Sequence, residues 1–297
     1  MIRERVLDCI YNRLIVWITT CLVLLLSACA EGPAAEDSGD SWGDVMERGH
    51  GTLKALYVPA EGFAYRDDEG RLTGVTVELI RDMAVFVKDM FNVSLEIEFV
   101  GEDDWSIFYN RIVSGGDGLI GFGNVTITTE RRDELIFSPP YMNNIASLIT
   151  HRDVAELESF EEISTQFSGM TALAFKGTLH EERLRRVVQE YYPSANIDFA
   201  SANDEILRRV GEGTTYFAYI DLYNYLRASN REELRRHSTG DDPGEQFGYI
   251  MPLNTSWYEV VELYFSHNGG LTDSERYREI MEEHLGKEVA ALLIDYR

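Results

Sequence analysis

The sequence predicts an α/β fold made of two lobes. Two series of alternating strand and helix patterns follow one another, at about residues 52–150 and 160–251. A last stretch, residues 256–296, has a helical pattern throughout and supplies helices that the first series lacks. Strands alternating with helices are typical of parallel sheets covered by helices, so two such series indicate two lobes.

The first series opens with a strand pattern at Thr52–Val58. An amphipathic helix is predicted at Thr76–Phe91, because apolar residues recur there at helical spacing. Leu95, Ile97 and Phe99 alternate with polar residues, as in a half-buried strand. The other elements predicted for this series are a helix at 105–113, a strand at 119–122 and a strand at 145–150.

The second series repeats the alternation with shorter elements. Its predicted strands lie at 171–175, 197–199, 217–220 and 247–251. A helix is predicted after Thr178, with Leu184, Val187, Val188 and Tyr191 on its apolar face, and a short helix is predicted at 204–210. A polar segment, Asn230–Glu245, is predicted to be a loop.

The tail is expected to return to the first lobe, because that lobe lacks closing elements. The chain then crosses between lobes twice, near Ile145–Thr150 and Phe247–Met251. Paired extended crossovers predict a hinge, with a ligand held between the lobes. The expected boundaries are 51–147 for lobe 1, 148–246 for lobe 2, and 247–297 for the return strand and helices completing lobe 1.

The N-terminus reads as an export signal, residues 1–28. A basic start is followed by the apolar run Leu14–Ala28, which is shorter than the roughly 20 residues a membrane span needs. The run ends in Leu26-Ser27-Ala28-Cys29, which resembles the bacterial lipoprotein box. That resemblance implies cleavage before Cys29, acylation there, and anchoring on the extracytoplasmic side of the inner or outer membrane. An ordinary signal peptide or a short membrane anchor are the alternatives.

The composition of the chain disfavours several classes of binding partner. The net charge of -24 disfavours nucleic acid and anionic lipid surfaces, so contact with the membrane is expected through the lipid anchor alone. Two of the three cysteines lie in the leader and Cys29 would be lipidated, which leaves the mature body without a disulfide or thiolate metal site. No metal or cofactor is predicted. Residues 29–50 are polar and acidic, as in a flexible tether.

The most informative stretch is Thr126–Tyr141. It follows a buried strand, offers hydroxyl groups and a guanidinium, and closes with Phe-Ser-Pro-Pro-Tyr. Open α/β sheets bind ligands at the carboxyl ends of their strands. Arg131 in such a position suits a carboxylate, because its planar fork donates two parallel hydrogen bonds. A surface arginine near a turn is the alternative interpretation.

This stretch resembles the signature of the family 3 extracellular solute-binding proteins, the polar amino-acid-binding components of ABC transporters. The resemblance extends in order and spacing over Gly51 to about Leu293. Its further segments are Gly51–Lys54, Asp68–Gly74, Val77–Leu79, Ser114–Gly118, Lys176–Thr178 and Phe247–Tyr249. It implies a two-lobed periplasmic-binding-protein fold with two crossing hinge strands. It also implies a monomer that captures an amino-acid-like solute and delivers it to an ABC permease.

Four contacts carry over from the family by position. Arg131 falls on the carboxylate-binding arginine, and Thr126 on the hydroxyl residue that meets the same carboxylate. Thr178 falls on the residue that closes over the carboxylate, just before a predicted helix whose N-terminus favours an anion. Asp221 falls on the acidic residue for the α-ammonium, and is also placed to cap the next helix.

The ligand's side-chain end is less defined. An apolar wall is expected from aromatic residues of the first lobe, namely Tyr57, Phe63, Tyr65 and Trp105. Glu61 is placed to pair with a basic ligand side chain, and Asn124 stands where the family has a small residue. Core packing for Phe63 and Trp105, and solvent exposure for Glu61, are the alternatives.

Two other functions share the predicted fold. One is a ligand sensor or orphan receptor. The other is a cyclohexadienyl-dehydratase-like enzyme, which needs a general acid in the cleft, and Asp221 is the candidate. Because Asp221 already has the ammonium-binding position in the family, the expectation is a binding protein without catalytic activity.

Overall fold

The computed structural model describes residues 37–295, which contain a nine-stranded sheet, a two-stranded sheet and helices on their flanks. The strands are β1 (His50–Tyr57), β2 (Tyr65–Arg66), β3 (Leu72–Thr73), β4 (Ser94–Gly101), β5 (Leu119–Thr126), β6 (Leu135–Phe137), β7 (Met142–His151), β8 (Thr171–Phe175), β9 (Ile197–Ala200), β10 (Tyr216–Asp221) and β11 (Leu234–Pro252). The α-helices are α1 (Trp42–Arg48), α2 (Val75–Phe91), α3 (Trp105–Val113), α4 (Thr129–Arg132), α5 (Ile163–Gln166), α6 (Leu179–Tyr191), α7 (Asn203–Gly211), α8 (Leu222–Ala228), α9 (Tyr258–Ser266), α10 (Glu275–Leu285) and α11 (Lys287–Asp295).

The large sheet has parallel strands at both ends and antiparallel strands in the middle. Its order is β4-β1-β5-β11-β7-β10-β8-β9, with β6 beside β11. β1 runs parallel to β4 and β5, and β8 runs parallel to β9 and β10. Between these two parallel groups, β7 and β11 pair antiparallel with each other. The fold is therefore α/β with two lobes joined by two crossing strands, as the sequence predicts.

Different hydrophobic clusters fill the two lobes, and Tyr223 of α8 belongs to the cluster of lobe 1. In lobe 1, Leu53 and Phe122 of the sheet are buried with Ile80 of α2. Tyr264 and Ile280 of the C-terminal helices belong to the same cluster, so this part of the tail packs on lobe 1. In lobe 2, the buried residues on the two faces of β8 and β10 form two further clusters.

The segment before β1 is part of the folded body. Asp37 accepts two hydrogen bonds of 2.7 Å from the Arg111 guanidinium, and Trp42 opens a helix whose Val45 is fully buried. The prediction of a flexible tether up to residue 50 is therefore wrong for residues 37–50. Its few apolar side chains find partners distant in sequence, such as Trp257, whose ring lies 5.1 Å from that of Trp42.

The polar segment 230–245 is also not the predicted loop. From Leu234 onward it forms the first half of β11, which pairs with β7 through two register shifts. Strand pairing satisfies its backbone groups although its side chains are mostly polar, so no apolar alternation marks it in the sequence.

Residues 37–295 contain no helix that is both long and apolar enough to cross a membrane. The predicted leader, Cys29 and the first part of the predicted tether lie outside the described residues.

Candidate functional site

A cavity of about 380 Å³ is bordered by residues of both lobes. Its lining comes from segments at or just after the carboxyl ends of six parallel strands, where open α/β sheets bind ligands. The segments are Val58–Glu61 after β1, Asp103–Trp105 after β4, Gly123, Asn124, Thr126 and Arg131 with β5, Phe175 and Thr178–His180 after β8, Ser201–Asp204 after β9, and Asp221, Asn224 and Arg227 after β10.

Arg131 lies in this cavity. Thr128 caps the short helix α4, since its hydroxyl accepts a hydrogen bond from the Arg131 backbone N–H. The guanidinium Nη1 donates to the Thr126 carbonyl at 2.9 Å. The guanidinium carbon Cζ lies over the rings of Trp105 and Tyr109, 5.7 and 5.6 Å from their centroids. No carboxylate oxygen of residues 37–295 lies within 4 Å of it.

Burial lowers the pKa of Arg131 from its ordinary value. An arginine remains a cation even so. The Arg131 guanidinium thus places a positive charge in the cavity, and it is not paired with an anion of the described residues. Its remaining N–H groups are available to an anion that enters the cavity.

Thr178 and the start of α6 border the same cavity. Thr178 is the residue before the helix, and its hydroxyl donates to the Phe175 carbonyl at 2.8 Å instead of capping α6. Within residues 37–295, the one side chain that accepts a backbone N–H at this helix start is that of Glu181, which accepts from Gly177 at 2.8 Å and leaves the N–H groups of Leu179 and His180 without a side-chain partner. Leu179 and His180 line the cavity, so these N–H groups and the positive end of the helix dipole add to the attraction for an anion.

Asp221 supplies the opposite charge. Its Oδ1 accepts hydrogen bonds from Asn144 Nδ2 at 2.6 Å and from His180 Nε2 at 3.1 Å. Asp221 precedes α8, as the sequence predicts, but its side chain does not cap that helix. The capping prediction is wrong because the carboxylate instead accepts hydrogen bonds from Asn144 of β7 and His180 of α6.

Asn124 lines the cavity in a left-handed conformation, with φ of +56°. Its side chain accepts from the Tyr141 hydroxyl at 3.0 Å and donates to the Tyr223 hydroxyl at 2.8 Å. Asparagine is among the few residues that tolerate this conformation, and unusual backbone at a binding surface is typical of functional sites.

Trp105 and the exposed Glu61 also line the cavity, whereas Phe63 and Tyr65 do not. A tight turn bridges Ala60 to Ala64 and directs Phe63 into the core, where its ring lies 4.5 Å from that of Tyr223. The Tyr65 hydroxyl is 3.1 Å from His284 Nδ1. The predicted aromatic wall is therefore wrong for these two residues.

Tyr57 is also absent from the cavity lining. It stacks on Phe122 with the ring centroids 5.9 Å apart. Of the predicted aromatic wall, Trp105 alone borders the cavity.

The structure adds residues that sequence reasoning missed. His180 contacts Asp221 directly, and Asn224 and Arg227 line the cavity on α8. A signal for His180 was present, because His180 and Arg183 share the helix face of Leu184 and Val187, where polar residues are out of place. Residues 37–295 hold no cluster of metal-ligating side chains.

Two lobes, two crossing strands and a cavity at the strand ends define the class of two-lobed binding proteins. Residues 55–287 match the bacterial extracellular solute-binding proteins, family 3. The match covers most of the chain, and the chain belongs to this family.

Relatives and solved structures agree with this assignment. The L-cystine-binding protein TcyA of Bacillus subtilis is 22% identical over 239 residues, which cover 76% of this chain and 81% of TcyA. An ancestral arginine-binding protein bound to arginine aligns with a TM-score of 0.62 at 18% identity, over 78% of this chain and 97% of that one.

One structural neighbour relates to the predicted enzymatic alternative. The ancestral amino acid-binding protein AncCDT-1, a precursor of cyclohexadienyl dehydratase, aligns with a TM-score of 0.62 at 21% identity, over 82% of this chain and 98% of that one. At this level of identity the similarity shows a shared fold.

Proposed function

We propose that this protein is an extracytoplasmic lipoprotein that binds an amino acid, or a similar small zwitterion, between its two lobes and delivers it to an ABC permease. The observation that carries the proposal is one cavity with an available cation, Arg131, and a carboxylate, Asp221, on its walls. Each end of a zwitterion then meets an opposite charge, which is needed because burying an unpaired charge is costly.

The carboxylate of the ligand binds at the Arg131 end. The guanidinium is fixed by the Thr126 carbonyl and two aromatic faces, so little ordering remains to be done on binding. The N-terminus of α6, where Thr178 does not cap the first N–H groups, closes on the same carboxylate from lobe 2.

The α-ammonium binds at Asp221. Its Oδ1 is taken up by two protein donors, while Oδ2 accepts no hydrogen bond from residues 37–295. Because Arg131 belongs to lobe 1 and Asp221 to lobe 2, only a closed arrangement satisfies both ends of the ligand. β7 and β11 are the proposed hinge, between a lobe 1 of residues 51–147 completed by 247–297 and a lobe 2 of residues 148–246.

The names of the relatives support an amino-acid ligand. TcyA is named for L-cystine, and two structural neighbours were solved with arginine and with lysine bound. Glu61 on the cavity wall is placed to meet a basic side chain, and Trp105 to stack on the ligand.

A thermal-shift screen with the twenty common amino acids and L-cystine, followed by calorimetry, tests the proposal. At least one amino acid is expected to raise the melting temperature, since ligand binding stabilises the folded state. Arg131→Ala is expected to weaken that binding about 100-fold or more. Arg132→Ala is the matched control, because Arg132 is exposed and packs on Phe137 outside the cavity.

Retained affinity in Arg131→Ala would contradict the site. Conversion of prephenate or arogenate to an aromatic product would contradict a purely binding function. Lipid attachment at Cys29 is tested separately, by mass spectrometry of the membrane fraction from cells expressing the full chain and its Cys29→Ala variant.

A further inference from the structure

Asp221 belongs to a closed ring of buried hydrogen bonds. The ring runs from Asp221 to His180, Arg183, Glu245, Asn144 and back to Asp221. Each of the five residues is at most 8% exposed. They come from four elements, α6, β7, β10 and β11, so the ring ties the proposed ammonium site to both crossing strands.

Arg183 determines how His180 contacts Asp221. Its Nη1 lies 3.0 Å from His180 Nδ1. A guanidinium has donors and no acceptor, so Nδ1 must be the acceptor and must lack a proton. The proton of the neutral imidazole is therefore on Nε2, which donates to Asp221 Oδ1 at 3.1 Å.

The other half of the ring fixes Asn144. Arg183 Nη2 donates to Glu245 Oε1 at 2.5 Å, and Glu245 Oε2 accepts from Asn144 Nδ2 at 2.8 Å. The same amide nitrogen donates to Asp221 Oδ1 at 2.6 Å. Asn144 and Glu245 face each other across β7 and β11, beside a register shift.

The ring also has an unbalanced charge. It contains two carboxylates, Asp221 and Glu245, and one guanidinium, since His180 is neutral. Asp242 accepts from Arg183 as well, at 2.9 Å, but adds a further negative charge at a half-exposed position. A buried excess charge is unfavourable until a counter-charge arrives. Asp221 lines the cavity, and its Oδ2 is the oxygen that accepts no hydrogen bond from residues 37–295.

We propose that Asn144, His180, Arg183 and Glu245 are positioning residues that hold Asp221 Oδ1 and leave Oδ2 to one cation. The ring thereby makes the site select ligands that carry an α-ammonium over analogues that lack it. This inference rests on the proposed function, because it assigns the means by which the same site discriminates.

The test compares two ligand pairs by calorimetry on the wild-type protein and on variants. The pairs are L-arginine with 5-guanidinopentanoate and L-glutamine with 4-carbamoylbutanoate, which differ only in the α-ammonium. His180→Phe keeps a ring of similar size and removes the donor to Asp221. His180→Gln keeps an N–H donor at a similar reach.

His180→Phe is expected to weaken binding of the amino acid by about 10- to 100-fold, the range for one lost hydrogen bond to a charged group. Binding of the deaminated partner should change less than about two-fold, because it does not use Oδ2, and His180→Gln should recover most of the selectivity. Arg208→Gln is the control, since it removes an exposed ion pair with Glu212 in the same lobe.

Equal losses for both members of a pair would mean that His180 only supports the fold, and would overturn the proposal. So would a wild-type protein that binds neither amino acid more tightly than its deaminated analogue. If no compound of the amino-acid screen binds at all, the proposed function itself has failed. Independently of any ligand, ¹⁵N NMR of the His180 ring must show the proton on Nε2, and a proton on Nδ1 would contradict the ring.

Discussion

The backbone of Gly118 lies directly against that of Asp40, so that a Cβ atom at residue 118 would stand 2.4 Å from the Asp40 carbonyl oxygen. Gly118 has a φ of +69° and precedes β5, whereas Asp40 precedes α1. This contact packs the segment before β1 onto the turn that starts β5. It is possible only because residue 118 has no side chain.

Gly118→Ala is expected to destabilise the protein by at least about 2 kcal/mol more than Gly70→Ala. Both glycines have a φ between +69° and +79°, so the backbone penalty is similar. A Cβ at Gly70 meets nothing within 4 Å, whereas at Gly118 it meets backbone that has little freedom to move. Urea unfolding of the two variants measures the difference, and equal losses would contradict the close contact.

Asp37→Asn is expected to cost about 1–2 kcal/mol, because Asp37 is largely buried and accepts two hydrogen bonds from Arg111. Glu212→Gln, in an exposed ion pair with Arg208, should cost less than about 0.5 kcal/mol.

Arg111 holds the pKa of Asp37 below its ordinary value of 3.8. The contribution of Asp37 is therefore present above that pH and is lost as the pH falls through the lower, folded value. A wild-type and an Asp37→Asn protein with the same free energy of unfolding at pH 7 would refute this.

Asn124→Ala is expected to destabilise by about 3 kcal/mol, since it leaves two buried tyrosine hydroxyls, Tyr141 and Tyr223, without their partner. Asn124→Gly loses the same hydrogen bonds but adopts the positive φ without strain, so it should be about 1 kcal/mol more stable than the alanine variant. Chemical denaturation of both variants separates the two effects. An alanine variant at least as stable as the glycine variant would show that the backbone there is unstrained.

The buried His237 side chain is expected to make the protein less stable in mild acid. Its ring is buried, with Thr150 Oγ1 2.7 Å from Nε2 and the Leu157 N–H donating to Nδ1 at 3.0 Å. Burial and then Arg235 lower its pKa from 6.5 to about 4. Below pH 6.5 the unfolded chain binds a proton that the folded chain accepts only near pH 4, so stability declines across that range, by up to about 3 kcal/mol.

The pH dependence of unfolding between pH 7 and 4 checks this, with His237→Gln compared against His50→Gln at an exposed site. The His237 variant should show the shallower decline. The same slope in all three proteins would mean that His237 does not remain neutral in the folded state.

The local elements and the charged ends of the site are predictable from the sequence. The helix at 105–113 and the strand at 171–175 coincide with α3 and β8, because α3 has apolar residues at helical spacing and β8 is a short apolar run. Arg131, Thr126, Thr178 and Asp221 were placed by resemblance, and all four border one cavity.

The predictions that the structure contradicts share one cause. Residues 37–50 and the first half of β11 are polar, and they are ordered by partners such as Arg111 and β7 that are distant in the chain. Phe63 looked like a cavity residue because it follows β1, but the turn at Ala60–Ala64 directs it to the core. No pattern within a short window contains that information.

The sequence by itself determined the two-lobed α/β class, the acidic surface and the opposite charges offered to a ligand, because these follow from periodicity, composition and residue type. Only the tertiary structure decided which oxygen of Asp221 stays open. That depends on Asn144, His180, Arg183 and Glu245, which are separated by as many as 101 residues between Asn144 and Glu245. Hydrogen bonds act over about 3 Å in space, whatever the distance along the chain, so the ring exists only once the strands have crossed.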